Sequence, residues 1–223
     1  MKGFLQHSLL TSIGVDHGFG TVASSPRPHC LVLRQVHGTQ VLSSGECRDR
    51  GLSFEGDGLV SVATSDEVGV FTADCLPVLA ATESGRVVGA FHAGWRGAAA
   101  RIVPEGIYRM AHEGQTLPTA FRVVLGPAIG PCCLTVGAEV WEAVASKNPT
   151  YSQRQRRTLD LWELVTHQLL EAGVPAENIG RISLCTRCHA DLFFSHRGWG
   201  ARRNGRSMLN YIRPWRDDRG EPR

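Results

Sequence analysis

Three short segments of this chain set a reactive side chain among glycine, proline or charge. They are Arg34-Gln35-Val36-His37-Gly38, Thr72-Ala73-Asp74-Cys75-Leu76-Pro77 and Phe91-His92-Ala93-Gly94-Trp95-Arg96-Gly97. Two imidazoles and one thiolate are borderline-soft donors, and three such ligands with a fourth position left for water make the set that a catalytic zinc ion takes. His37, Cys75 and His92 make up such a donor set, one that suits a single zinc ion if the fold brings them together. A site of that composition has a net charge of about +1 and lowers the pKa of bound water toward ~7. Spacing alone leaves two other readings open, because no short zinc pattern links the three residues. The histidines can be satisfied structural groups with Cys75 a small buried hydrophobe, or Cys75 can be a nucleophile with His92 as its base and no metal.

Such residues need a scaffold that ends strands at one place. Glycine-punctuated β-type runs at 31–36, 58–63, 68–72, 76–81 and 87–92 dominate the first half, and several are apolar throughout, as expected for strands buried on both faces. Glu83-Ser84-Gly85-Arg86 reads as a hairpin turn. A helix is expected over 98–112, with Pro104 starting, ending or kinking it, then a strand at 121–125 closed by Gly126-Pro127. Amphipathic helices follow at 137–147 and 159–171, the second closed by Gly173 and Pro175, with further strands at 181–184 and 207–212. The expected fold class is α/β (α+β): a single layered domain over 1–223, with mixed β-sheet flanked by helices and a loose tail after about residue 214.

Composition excludes several classes. The chain has 223 residues, 42% hydrophobic and 20% charged, which suits a soluble globular protein. A net charge of +3 is too small to argue for nucleic acid, and the basic runs at 154–157, 202–206 and 213–219 lack the interleaved aromatics of a stacking surface. No apolar run approaches the ~20 residues of a membrane span, and polar residues interrupt the first residues too early for a signal peptide. Seven cysteines in no disulfide spacing fit a reducing cytoplasm. Cys185-Thr186-Arg187-Cys188-His189 matches a haem-attachment pattern, but that chemistry belongs to exported proteins, and chance explains the match better. Nothing in the chain sets an oligomeric state.

Taken together the motifs have a family likeness. Gln35-Val36-His37-Gly38, Gly56-Asp57-Gly58, Thr72-Ala73-Asp74-Cys75-Leu76-Pro77-Val78, His92-Ala93-Gly94-Trp95-Arg96-Gly97 and Gly126-Pro127-Ala128-Ile129-Gly130 occur in that order, followed by Cys185-Thr186, Phe193-Phe194-Ser195-His196-Arg197 and Gly205-Arg206. The sequence resembles the laccase-domain family, whose members are named polyphenol oxidase, purine nucleoside phosphorylase or peptidoglycan editing factor. The resemblance runs from about His17-Gly18-Phe19 onward and implies that His37, Cys75 and His92 are the metal ligands. It also implies phosphorolysis of adenosine, inosine or guanosine and deamination of adenosine, with nucleoside and phosphate as the small-molecule partners. Asp57 or Asp74 would then shuttle protons, and Arg96 would hold phosphate, with Arg34 and Arg206 as weaker choices. The chain departs from the family pattern: only 20–33 bridge the first motif and the first metal histidine, where relatives carry a longer stretch, and Leu134 and His196 stand where relatives often have tyrosine.

Three rival functions use the same residues. Copper fits two histidines and a cysteine, but nine histidines with no His-x-His pair do not supply the trinuclear cluster of a multicopper oxidase. An amidase that edits a cell-wall precursor would use the same metal-bound water. A metal-stabilised binding module would need a fourth protein ligand, and no motif provides one.

Overall fold

The computed structural model describes residues 3–48, 54–62, 66–151 and 157–215. The basic run at 154–157 falls largely, and the tail after Trp215 wholly, outside these residues.

Among the described residues, ten strands form two sheets. β1 (Phe4–Leu5), β2 (Asp16–Gly20), β5 (Val68–Thr72) and β10 (Met208–Arg213) make an antiparallel sheet in the order β1-β2-β10-β5. The other sheet is mixed. It runs β3-β4-β7-β6-β8-β9, with β3 (Val41–Ser43), β4 (Gly58–Val62), β6 (Leu76–Thr82), β7 (Val87–Ala93), β8 (Phe121–Leu125) and β9 (Ile179–Arg181). Its outer pairs β3–β4 and β8–β9 are parallel and its inner pairs antiparallel.

Alternation along the central strands explains the layering. Leu76, Val78 and Ala80 of β6, with Val87 and Phe91 of β7, join one core cluster beneath the helices. Their neighbours Leu79, Ala81, Val88 and Ala90 join a second cluster with Val68, Val70 and Ile212 of the antiparallel sheet. Both faces of β6 and β7 are covered, which is why these strands read as unbroken apolar runs. Helices α4 (Ile102–Glu113), α5 (Ala138–Lys147) and α6 (Leu161–Glu171) cover the first face. Short helices α1 (Ser8–Thr11), α2 (Ser44–Arg48), α3 (Trp95–Ala99) and α7 (His196–Trp199) are the other α-helices among the described residues.

Helix ends follow local chemistry. Asp160 caps α6 by accepting from the Glu163 N–H at 3.1 Å. Gly173, at φ +92°, closes it with Val174 N–H on Leu169 O and Gly173 N–H on Leu170 O, a Schellman ending. The helix expected over 98–112 is two helices. The chain breaks at Arg101, in the left-handed region at φ 73°, and Pro104 then lies in the first turn of α4, where its missing N–H costs nothing. Two buried amides hold the break, Gln168 donating to Ala98 O at 2.7 Å and Asn148 donating to Ala99 O at 3.1 Å, and nearer the surface Arg101 pairs with Glu171 at 2.8 Å.

Two expected strands are corrected. Segment 31–36 makes only isolated bridges, Leu31 with Val68 and Arg34 with Glu55. The side-chain amide of Gln35 takes the place of a ladder there, accepting from Phe71 N–H at 2.7 Å and donating to Phe71 O at 2.8 Å. The strand expected at 181–184 is displaced to β9, because its partner β8 ends at Leu125 before Gly126-Pro127. Among the described residues no helix is long and apolar enough to cross a membrane.

Candidate metal centre

Register brings the three motifs to one end of the mixed sheet. Pro77 pairs with His92 and Leu76 with Ala93, so Cys75, one residue before β6, lies beside the end of β7. On the other side of β7, Gly58 pairs with Phe91, and the His92 N–H donates to Asp57 O at 2.7 Å. Val41 at the start of β3 pairs with Gly58, which carries the loop bearing His37 to the same edge.

His37, Cys75 and His92 each offer a ligand atom, and these atoms all lie within 4.8 Å of one another. The two imidazole rings sit 4.8 Å apart, edge to face at 77°. His92 is buried, Cys75 half-buried and His37 exposed, so the triplet opens toward solvent. Two tight positions make the convergence feasible. His37 has φ 62°, a conformation that non-glycine residues rarely adopt and that marks strain stored at a site. Gly94 approaches so closely that a Cβ there would stand 2.9 Å from Cys75 Sγ and 3.1 Å from His37 Cδ2.

Asp57 organises the triplet, although the sequence suggested it only as a proton shuttle. It is fully buried. One oxygen accepts from His37 N–H at 2.9 Å and from His92 Nδ1 at 2.7 Å; the other accepts from Gly38 N–H at 2.7 Å and Val36 N–H at 3.2 Å. The carboxylate thus folds the loop that carries His37 and engages Nδ1 of His92, so that Nε2 is the nitrogen turned toward the other two side chains.

The electrostatics match. Burial favours the neutral forms, but hydrogen bonds to Asp57 and Cys75 outweigh it at His92 and raise its pKa to about 9. At Cys75 burial raises the thiol, yet hydrogen bonds from His37 and His92 dominate and bring it down to about 7. Asp57, despite its burial, is held below the ordinary carboxylate value by His92 and the loop amides. An acid whose pKa is depressed ionises at lower pH. In metal-free protein, iodoacetamide labelling of Cys75, read by peptide mass spectrometry, should therefore reach half its maximal rate near pH 7, and a metal ion bound by the triplet should protect the residue. A midpoint near 9, the ordinary thiol value, would show that no thiolate–imidazolium pair forms.

The triplet lies in a cavity of about 670 Å³, a size suited to a small organic ligand. Arg96 lines it, stacked 4.3 Å over the Trp95 ring on α3, and among the described residues it forms no ion pair. Asp74 lines it too, at φ 93°, with its oxygens accepting from Thr186 Oγ1 at 2.6 Å and Arg197 N–H at 2.7 Å. Arg34 stands elsewhere, in an exposed ion pair with Glu55. Arg206 stacks on Phe194 and Trp199 rather than lining the cavity. Sequence reasoning missed Arg197 and Arg203, which contribute to the cavity wall. The segment 193–197 had stood out as a motif, but only the bond from Arg197 N–H to Asp74, 123 positions away, reveals its place.

Residues 19–213 match the family model described as multi-copper polyphenol oxidoreductase laccase. The chain belongs to this laccase-like family. Among family members, the purine nucleoside phosphorylase YlmD of Geobacillus stearothermophilus is 34% identical over 192 residues, covering 77% of this chain and 68% of that protein. A protein named adenosine deaminase RL5, from an unknown prokaryotic organism, is 33% identical over 198 residues, covering 81% and 73%. The crystal structure of YlmD from G. stearothermophilus superposes with a TM-score of 0.80 at 26% identity, covering 96% of this chain and 99% of that one. The fold of this laccase-like protein is therefore the family's.

Proposed function

We propose that the protein is a zinc-dependent purine nucleoside enzyme that phosphorolyses adenosine, inosine or guanosine and deaminates adenosine. The observation that carries this reading is the open His37–Cys75–His92 triplet inside a nucleoside-sized cavity with Arg96, Arg197 and Arg203 on its wall. The names of the phosphorylase and deaminase relatives support it.

The donor set fits zinc: three protein ligands, one of them a thiolate already favoured near neutral pH, and an oriented histidine. His37, Cys75 and His92 would hold the ion, which supplies Lewis acidity toward a bound water or a substrate oxygen. The remaining work falls to the chain. Asp57 holds the Nδ1 side of His92, so that Nε2, once its proton is displaced, is the nitrogen turned to the ion. Arg96, held by its stack on Trp95 and by the anchored end of α3, binds anionic oxygen, as phosphorolysis requires when phosphate attacks C1′ and the purine departs. Asp74 fixes the Arg197 segment to the wall. Two lone-pair positions of its carboxylate are not used by Thr186 and Arg197, and in deamination these would take a proton from the attacking water and pass it to the leaving amine.

The test is incubation of purified protein with adenosine, with and without phosphate, followed by chromatography and metal analysis. Adenine formed only with phosphate demonstrates phosphorolysis, and inosine formed without it demonstrates deamination. Zinc-loaded protein that leaves adenosine, inosine and guanosine untouched rejects the nucleoside reading and favours the precursor-editing amidase. A blue absorption band with oxygen consumption replaces zinc by copper.

A further inference from the structure

Four cysteines that the triplet does not use form a second nest. The Sγ atoms of Cys132, Cys133, Cys185 and Cys188 all lie within 4.8 Å of one another, with Cys132 and Cys133 at 3.6 and 3.5 Å from Cys188. They come from two loops that are already tied together. Cys132 and Cys133 sit in the turn after Gly130-Pro131, where Cys133 and Leu134 N–H both reach Gly130 O at 2.9 Å. Cys185 and Cys188 are the ends of a Cys-x-x-Cys run. Ala128 bridges Cys185 in parallel, Thr186 N–H donates to Ala128 O at 3.0 Å, and Gly130 N–H donates to Cys185 Sγ at 3.3 Å.

We propose that Cys132, Cys133, Cys185 and Cys188 bind a second zinc ion, in a closed structural site separate from the His37–Cys75–His92 triplet. A tetrahedron of thiolates at the usual Zn–S distance has sulfur–sulfur edges of about 3.8 Å, which the nest already approximates. A disulfide would need about 2.05 Å between one pair and leave the others crowded against it. The nest is too tight for a multi-iron cluster. Four equivalent soft donors, closed on themselves, select zinc in a structural role. On binding, four thiols lose four protons to solvent and form four Zn–S bonds, with no change of oxidation state. The Cys-x-x-Cys-His run thereby finds its use. Cys188 turns toward Cys132 and Cys133, and His189 Nδ1 is bonded to Cys185 O at 3.0 Å, so the pattern reads as a metal knuckle rather than a haem attachment.

The place of the nest gives it a consequence. It joins the loop after β8, which supplies Ile129 and Leu134 to the cavity, to the segment that supplies Thr186, His196 and Arg197 around Asp74. A zinc ion there pins the wall of the pocket from behind.

Metal content and cobalt spectra test the proposal independently of activity. The protein as purified is expected to hold two zinc ions per chain. The Cys75→Ala and His92→Ala double variant should hold one, and Cys185→Ser with Cys188→Ser should hold one. Cobalt substituted into the Cys75→Ala, His92→Ala protein should show the intense visible and near-ultraviolet bands of a tetrathiolate site. The cobalt experiment leaves all four nest cysteines intact, so misfolding of the Cys185→Ser, Cys188→Ser variant does not blunt the test. One zinc per chain in the wild type that disappears wholly with Cys75 and His92 would overturn the proposal. A wild-type mass lower by two hydrogens, with a disulfide mapped among these four cysteines, would do the same.

Discussion

Replacing Cys75 by alanine is expected to strip zinc from the triplet and lower kcat/KM for adenosine by at least ~10³-fold, the scale of losing a preorganised electrophile. The cause is local. In the proposed site Cys75 would supply the only anionic ligand of the three, and it reaches the cavity from the tight turn at Asp74, beside the first residue of β6. The substitution leaves the fold in place, because Cys75 faces the cavity and Leu76 continues into the core unchanged. Alone, that result would not separate a metal ligand from a nucleophile. His37→Ala separates them. In the metal reading it removes zinc and activity to a similar degree, since an ion held by two ligands is poorly retained. In a Cys75–His92 nucleophile pair, losing His37 removes one hydrogen bond to the thiol, but His92 still takes the proton and most turnover survives. Zinc retained together with full turnover in His37→Ala would sink the metal mechanism. The measurement is steady-state kinetics beside metal analysis of the same preparations.

Legibility of this molecule divides by distance along the chain. β5 and β8 carry the bounds that their apolar runs suggest, and β6 and β7 differ by a residue at an end, because burial on both faces leaves a continuous pattern. Segment 31–36 misleads because it has the composition of a strand while Val32 and Val36 are exposed and Gln35 substitutes its amide for the ladder. The helix break at Arg101 depends on Gln168 and Asn148, which arrive from elsewhere in the chain. The same division holds at the site. His37, Cys75 and His92 are recognisable from their local motifs, and their meeting follows from the register of β3, β4, β7 and β6. The nest of four cysteines was only half legible: Cys185 and Cys188 have the Cys-x-x-Cys spacing, but the adjacent Cys132 and Cys133 do not complete a second such pair, and the two loops are tied together through the Ala128–Cys185 bridge. Asp57 was visible within Gly56-Asp57-Gly58, but its role depends on four donors from two other segments.

Asp57→Asn is expected to weaken zinc binding by about 10–100-fold, as loss of a partner behind a metal-bound histidine does, and to destabilise the fold by about 1–3 kcal/mol through unpaired buried donors. The amide cannot satisfy the site in either orientation. With its oxygen toward His37 N–H and His92 Nδ1, its NH₂ faces the N–H groups of Gly38 and Val36. Turned over, the NH₂ faces His92 Nδ1 and drives the imidazole proton to Nε2, which removes the lone pair the metal needs. Chelator competition measures the affinity and chemical denaturation the stability. The pH dependence distinguishes orientation of His92 from general loosening of the loop. His92 is raised from its ordinary 6.5 to about 9, so in zinc-stripped protein its contribution to stability is fully present below pH 6.5 and is lost as pH rises through 9. Zinc must displace that proton, so wild-type affinity climbs across the same interval. In Asp57→Asn the climb should move to lower pH, because the carboxylate that holds the proton is gone. An unchanged pH profile with unchanged zinc affinity would show that Asp57 serves only the loop, and that His92 is oriented by the sheet.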